Sequence, residues 1–318
     1  MIDVLITEFF DEGSVESLKI NYNVHYETEL WKNREKLKDL ISNSKTIIVR
    51  NSTQVDQELL NCTKTLQGVV RLGVGLDNIN TKICESRGIK VFPAIGANAS
   101  SVAEYVIAMS TILLRNNLFS TNSNVYLGKW DRKIHMSSRE ISNKIIGIIG
   151  FGSIGQVVAD KAKTMGLEVL GFDNKIDSTS SVWSKGEKVD FKTLLENSDI
   201  VSLHCPLLPE TKNLISENEF KIMKNDSILI NSSRGGVVNE KDCVNALNKS
   251  DIFGAALDTL VNEPISREAQ KLFANTKNLI LTPHIAGVTK DSNDRIAKFA
   301  VEKVTNILGW ILKSIFNK

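Results

Sequence analysis

Three polar residues define the chemistry open to this chain: Arg234, Glu263 and His284, carried in the segments ILINSSRGG, GAALDTLVNEP and LILTPHIAG. Each segment reads as an apolar run that stops at a polar tip. An imidazole can take the proton of a hydroxyl group and give it back, because its unperturbed pKa lies near neutrality. A carboxylate bonded to its far nitrogen would fix its tautomer. A guanidinium offers a planar fork that holds a carboxylate in two parallel bonds and can polarise a carbonyl. Singly, an acid before Pro264 is a turn residue and an arginine before two glycines is a loop cation. Together, at strand tips of an open α/β sheet, where ligands bind, they are the parts needed to move a hydride and a proton. Of the other histidines, His204 in LHCP also ends a strand and reads as shaping the turn before Pro206. His25 and His135 lie in polar surroundings without a partner pattern.

A cofactor signature lies upstream. KIIGIIGFGSIGQVVADKAKTMG places Gly150, Gly152 and Gly155 at a turn from a strand into a helix. Such a turn is tight, must let a pyrophosphate approach the backbone, and must pack helix on strand closely. The helix N-terminus then offers free N–H groups and a positive dipole end to phosphates. Alone the pattern is weak, but the next strand, LEVLGFD, ends on Asp173 at about the twenty-residue offset of a ribose-binding carboxylate. That acid would bond a 2′-hydroxyl and repel a 2′-phosphate, which predicts NAD over NADP.

These residues need a scaffold, and the apolar runs supply one. VLIT, KTIIV, GVV and IKVF alternate with ELWKNREKLKDLI and VDQELLNC, whose apolar residues recur at helical spacing. SVAEYVIAMSTILLRNN, from Ser100, is apolar on nearly every side, as a helix with several neighbours is. LFSTNSNVYLGKWDRK reads as a loop, yet holds Leu118, Phe119, Tyr126 and Trp130, whose side chains a second subunit or the chain itself must cover. A second alternation, KIIGIIG, LEVLGFD, DIVSLHCP, SILINSS, IFGAALD and NLILTPH, has the near-continuous apolar strands of a parallel sheet covered on both faces. SSVWSKGEK reads as a surface loop, and KDSNDRIAKFAVEKVTNILGWILK as one long amphipathic helix returning to the first domain. The expected fold is α/β, with two Rossmann-like or flavodoxin-like domains.

Composition narrows the partners. At 318 residues two domains are the natural expectation. A balance of 39 basic against 37 acidic residues gives no electrostatic case for nucleic acid or a membrane surface. Cys62, Cys84, Cys205 and Cys243 are scattered without a metal or disulfide spacing, which suits reduced thiols in a cytoplasm. The N-terminal acids Asp3, Glu8, Asp11 and Glu12 are unlike a signal peptide, and no stretch approaches the roughly 18 apolar residues of a spanning helix. A small-molecule substrate is expected, and no metal.

Over nearly its whole length the chain resembles the D-isomer-specific 2-hydroxyacid dehydrogenases. The motifs are IIVRNSTQV, VVRLGVGLDNIN, NASSVAEY, GKWDRK, GFGSIG, HCPLLPETKNLI, NSSRGGVVNE, GAALDTLVNEP and TPHIAG. Within that family it looks most like the D-3-phosphoglycerate dehydrogenase branch. The resemblance implies that Arg234 binds and polarises substrate, Glu263 partners the histidine, and His284 is the acid/base. It implies that Ser153 and Ile154 lie against the cofactor phosphates and Asp173 against the ribose. Cys205, Ser232, Ser233, Asp258 and Gly287 would line the cofactor site, Asp258 near the nicotinamide amide. Arg50, Arg71, Val74, Gly75 and Asn98 would face substrate, Arg71 matching a position where the phosphoglycerate branch often carries arginine. The branch implies oxidation of 3-phospho-D-glycerate, as in serine biosynthesis; a hydroxypyruvate or glyoxylate reductase and an NAD-responsive corepressor-like protein are the rival readings. Family architecture implies a substrate domain of residues 1–97 and 288–318, an NAD domain of 98–287, an active site in the interdomain cleft that excludes water on closure, and a homodimer. Without a further domain after Trp310, feedback control by serine is not expected.

Overall fold

The computed structural model describes residues 1–115, 118–130 and 132–316. The chain divides into two compact units, Met1–Asn98 with Thr289–Lys318, and Ala99–Val288. Among the described residues no helix is long and apolar enough to cross a membrane.

The first unit is built on a parallel sheet of β1 (Ile2–Ile6), β2 (Val24–Tyr26), β3 (Ser44–Val49), β4 (Gly68–Arg71) and β5 (Lys90–Pro93), in the order β2-β1-β3-β4-β5. Successive side chains of a strand point to opposite faces, and the burial follows that period. Val4, Ile6, Ile48 and Val70 enter one core, while Leu5, Ile47, Val49 and Val69 enter the other. The helix Lys290–Phe316 covers the first face with Ile296, Ala300, Val304 and Ile307, spaced as one helical stripe. A Cβ on Gly68 would stand 2.5 Å from Ile307 Cδ1, so glycine there lets helix and sheet approach. Each fully buried Leu or Ile is worth about 1.5–3 kcal/mol. Strand order reverses between β1 and β3. Ligands of open α/β sheets bind at such a switch point, outside the carboxyl ends of the strands.

The second unit has seven parallel strands: β6 (Ile145–Ile149), β7 (Glu168–Phe172), β8 (Glu187–Lys188), β9 (Ile200–Leu203), β10 (Ile228–Asn231), β11 (Gly254–Leu257) and β12 (Leu279–Leu281). Their order is β12-β11-β10-β9-β6-β7-β8, with the switch point between β6 and β9. One face packs Ile146, Ile148, Ile200 and Ile230 against the helices Ala99–Leu114 and Ser153–Thr164. The other buries Ile149, Val201, Leu203, Leu229 and Leu257.

Three elements differ from the expectation. β2, the three residues Val-His-Tyr, is too short to show a period. SSVWSKGEK is more than a loop: it makes a 3-10 turn, Ser181–Lys185, and edge strand β8, because Trp183 stacks on Phe151 at 4.8 Å and anchors it. The segment read as a loop after residue 117 forms a helix, Leu118–Tyr126. Its Ser, Thr and Asn residues compete locally with helical hydrogen bonds, but propensity is a weak guide. Leu118, Tyr126 and Trp130 are exposed there; the side chains of Phe119 and Trp310 lie outside the described residues.

Candidate active site

The glycine turn follows β6, and its three glycines do three different things. Gly150 has φ +90°, and a Cβ on it would stand 2.7 Å from the carbonyl carbon of His204. Glycine is thus what lets the loops at the tips of β6 and β9 touch. A Cβ on Gly155 would lie 2.3 Å from the Gly150 oxygen, so glycine also seats the helix on its strand. At Gly152 nothing lies within 4 Å: this face is open to a ligand. Gly152 caps the helix with no side-chain hydrogen bond, so Ser153 and Ile154 begin the helix with backbone N–H groups free for phosphate oxygens.

Around this turn the polar groups suit a dinucleotide. Asp173 accepts the N–H of Phe151 (2.9 Å) and of Lys175 (2.8 Å), which ties the carboxylate to the glycine turn while leaving lone pairs for ribose hydroxyls. The hydroxyls of Ser232 and Thr259 are buried without a partner, as groups awaiting a ligand are. Ser233 is occupied, donating to Asn231 Oδ1 at 2.7 Å. Burial pushes the Cys205 thiol up to about 11, so it stays protonated. Among the described residues no group of His, Cys, Asp or Glu could hold a metal ion.

His284 Nδ1 lies 2.8 Å from Glu263 Oε2. The other oxygen of Glu263 accepts the N–H of Leu260 at 2.8 Å, so the carboxylate cannot swing away freely. The Glu263–Pro264 peptide is cis. His284 itself has φ +56°, a left-handed conformation costly for a residue with a Cβ, which the surroundings must hold. They do so through Asp258, 1 % exposed at the tip of β11. Its carboxylate accepts the N–H groups of Ile285 (2.8 Å) and Ala286 (2.9 Å), and its carbonyl accepts that of His284 (2.8 Å). Thr282 Oγ1 donates to the same carboxylate at 2.6 Å, so the Tyr105 hydroxyl, 2.7 Å away, must donate to Thr282. Burial, and the negative charge of Asp258, push Tyr105 up to about 12, which keeps that proton in place.

Arg234 follows β10 in a loop that comes against the Glu263 turn. A Cβ on Gly235 would stand 1.9 Å from the Leu260 oxygen, the residue whose N–H Glu263 accepts, so the two turns are in backbone contact. Arg234 Nη1 donates to the Ser233 carbonyl at 2.7 Å. His204 is no rival as an acid/base. Its Nε2 faces Ser202 Oγ at 2.8 Å, its Nδ1 is buried without a partner although the residue keeps some exposed surface, and burial holds it down to about 3. Contrary to the expectation, His25 and His135 have partners, Glu27 at 3.5 Å and Thr121 at 2.8 Å.

The first unit holds the remaining residues. Arg50 follows β3 at the switch point and is half-buried. Burial lowers its pKa against the opposing effect of Glu8, and its guanidinium has no hydrogen-bond partner among the described residues. The Arg71 guanidinium folds over Gly73, where a Cβ would fall 1.6 Å from Nη1. Val74 and Gly75 are half-buried in that loop, and Asn98 Oδ1 is buried without a partner. Gly287 lies half-buried beyond Ala286. Sequence reasoning did not single out Glu8, Asn78, Tyr105, Thr259 or Thr282. Thr282, two residues before His284 in LTPH, was the one with a local signal.

Residues 108–286 match the D-isomer specific 2-hydroxyacid dehydrogenase, NAD binding domain. The chain is 39 % identical over 310 residues, 97 % of its length and 99 % of the relative's, to an (S)-sulfolactate dehydrogenase of Chromohalobacter salexigens. It is 33 % identical over 96 % of its length to a D-3-phosphoglycerate dehydrogenase of Archaeoglobus fulgidus, of which it spans 57 %. A D-lactate dehydrogenase from Aquifex aeolicus, solved with NAD and lactic acid, superposes with a TM-score of 0.83 at 26 % identity, over 99 % of this chain and 98 % of that one. With the glycine turn, the acid after β7 and the buried hydroxyls all suited to a dinucleotide, the chain is an NAD-dependent enzyme that belongs to the D-isomer-specific 2-hydroxyacid dehydrogenase family.

Proposed function

We propose that this enzyme oxidises D-2-hydroxy acids that carry a second anionic group on C3, with 3-phospho-D-glycerate, giving 3-phosphohydroxypyruvate, as the leading pair. The observation that carries this reading is the half-buried Arg50 guanidinium without a protein hydrogen-bond partner among the described residues. A desolvated cation is costly unless an anion meets it. Arg50 is therefore assigned the second anion, and Arg71 is the other first-unit arginine proposed to face substrate.

A second reading, (S)-sulfolactate, is favoured by the 39 % identity to a dehydrogenase of that name. The letter S does not conflict with D-specificity. Sulfur makes CH2SO3 outrank the carboxyl group, so the descriptor inverts and (S)-sulfolactate has the spatial arrangement of D-lactate. Phosphate and sulfonate present the same threefold set of oxygens to an arginine and differ in charge.

NAD, when bound, would supply the acceptor for a hydride from C2. His284 takes the hydroxyl proton on Nε2, because Nδ1 faces Glu263 and a carboxylate can only accept. Glu263 holds the tautomer, Arg234 polarises the C2 oxygen, and Asp258 fixes the loop. Ser153, Ile154 and Gly152 would hold the cofactor's phosphates, Asp173 its ribose, and Ser232 its polar edge. The exposed Leu118, Tyr126 and Trp130 support a homodimer, and free thiols suit a cytoplasmic setting.

Steady-state assays over 3-phospho-D-glycerate, (S)-sulfolactate, D-glycerate and D-lactate, with NAD and with NADP, test the reading. The two acids with a C3 anion are expected to have the highest kcat/KM, with NAD preferred. A preference for D-glycerate or D-lactate would overturn the substrate, and equal efficiency with NADP would overturn the role of Asp173.

A further inference from the structure

We infer that Glu8 and Asn78 are positioning residues that aim Arg50 at its anion, so that substrate affinity in the first unit is set by a buried carboxylate that never touches substrate. The inference rests on the reading that Arg50 binds substrate. Glu8 lies just beyond β1, directly across the switch point from Arg50 beyond β3, and is 5 % exposed. A buried carboxylate needs several donors, and its most obvious partner would be the neighbouring guanidinium. Instead it is used up on backbone: Oε1 accepts the N–H of Arg50 (2.9 Å) and of Thr53 (3.0 Å), and Oε2 that of Ser52 (3.0 Å).

The carbonyl side of the same loop is held as firmly. Asn78, 7 % exposed, donates its side-chain amide to the carbonyls of Arg50 (3.0 Å) and Thr53 (2.7 Å). Thr7 and Thr53, both buried, pair their hydroxyls at 2.8 Å. The loop 50–53 is therefore fixed from both sides by charged or amide groups, while the one charged side chain it carries is left without a hydrogen-bond partner among the described residues. Glu8 supplies charge near Arg50, which opposes the loss of its proton, without filling its donors. An anion bound to those donors then meets a partly desolvated cation on a backbone that is already fixed, so less of the loop remains to be ordered on binding.

Glu8→Gln tests this. An amide has one oxygen where the carboxylate has two and brings two N–H groups of its own, so at least one backbone donor of the loop loses its acceptor. The wild type, E8Q, R50M, the E8Q/R50M double variant and Asn78→Ala are compared, using the acid among 3-phospho-D-glycerate, (S)-sulfolactate, D-glycerate and D-lactate that the wild type turns over fastest. KM, kcat and NAD affinity are measured for each. E8Q is expected to raise KM about tenfold, as loss of one hydrogen bond to a charged group does, with kcat and NAD affinity close to wild type. R50M raises KM by more, and E8Q adds nothing in the R50M background, since a positioning residue acts only through the residue it positions. N78A shows the same split and carries the test should E8Q not fold. Equal multiplication of KM by E8Q with and without Arg50, or a loss confined to kcat, would overturn the inference. An unchanged KM in R50M would instead overturn the role of Arg50 itself.

Discussion

The loop carrying Arg50 and the loop carrying His284 are built with the same device and finished differently. Each follows a strand of a parallel sheet, and each is held by a buried acid from the tip of the adjacent strand. Glu8 accepts three backbone N–H groups of the 50–53 loop, and Asp258 accepts two of the residues after His284. The functional side chains then diverge. His284 is paired with Glu263 at 2.8 Å, whereas Arg50 has no hydrogen-bond partner among the described residues. The difference follows from the tasks proposed for them. A proton acceptor must present one defined nitrogen before substrate arrives, so its other nitrogen is occupied by protein. A recognition cation must keep its donors for the ligand, so the protein holds only its backbone.

The strongest way to break that contrast is to remove the paired side chain. His284→Ala is expected to lower kcat by about 10²–10⁴-fold, the usual contribution of a general acid or base, while NAD affinity stays near wild type. Turnover within a few-fold of wild type would remove His284 from the chemistry. Next in size, Arg50→Met should raise KM about 10–100-fold, the worth of charge-assisted bonds, with kcat little changed; steady-state kinetics would show the split. Glycine variants sharpen the cofactor half. Gly152→Val has open space in the protein, so the melting temperature should hold while NAD affinity drops; Gly155→Val meets the Gly150 oxygen and should lower the melting temperature itself. If G152V bound NAD normally, the open face would not be where the phosphates lie.

The smallest effect on turnover is expected at His204. His204 is held down to about 3 by burial, from an ordinary value of 6.5. Between those values the unfolded chain binds a proton that the folded one does not. Its contribution to stability is therefore complete above about pH 6.5 and is lost as the pH falls toward 3. His204→Asn should flatten that acid-side loss in denaturant titrations without moving the pH dependence of kcat. A changed rate profile would mean that His284 does not act alone.

Much of this was legible in the chain, for a physical reason. Glycine turns, strand tips and amphipathic stripes are local patterns, so GFGSIG, Asp173, and the His284–Glu263 pairing could be read before any coordinates. The devices that hold the loops could not. Glu8 stands among Asp3, Asp11 and Glu12 with nothing local to set it apart; its partners are 42 to 45 residues away and are backbone groups, which leave no mark in sequence. Asn78 sat inside a recognised motif without a role. The helix Leu118–Tyr126 was missed because Ser, Thr and Asn fill it, and β8 because its anchor, Trp183 on Phe151, is tertiary.

The most direct test of the central claim is the tautomer of His284, read by nitrogen NMR on protein labelled in its four histidines and assigned with the His284→Ala variant. Neutral His284 is expected to carry its proton on Nδ1, toward Glu263, with Nε2 bare, and Glu263→Gln to disturb this preference. A neutral His284 protonated on Nε2 would have no lone pair there to take a hydroxyl proton, and could not be the base.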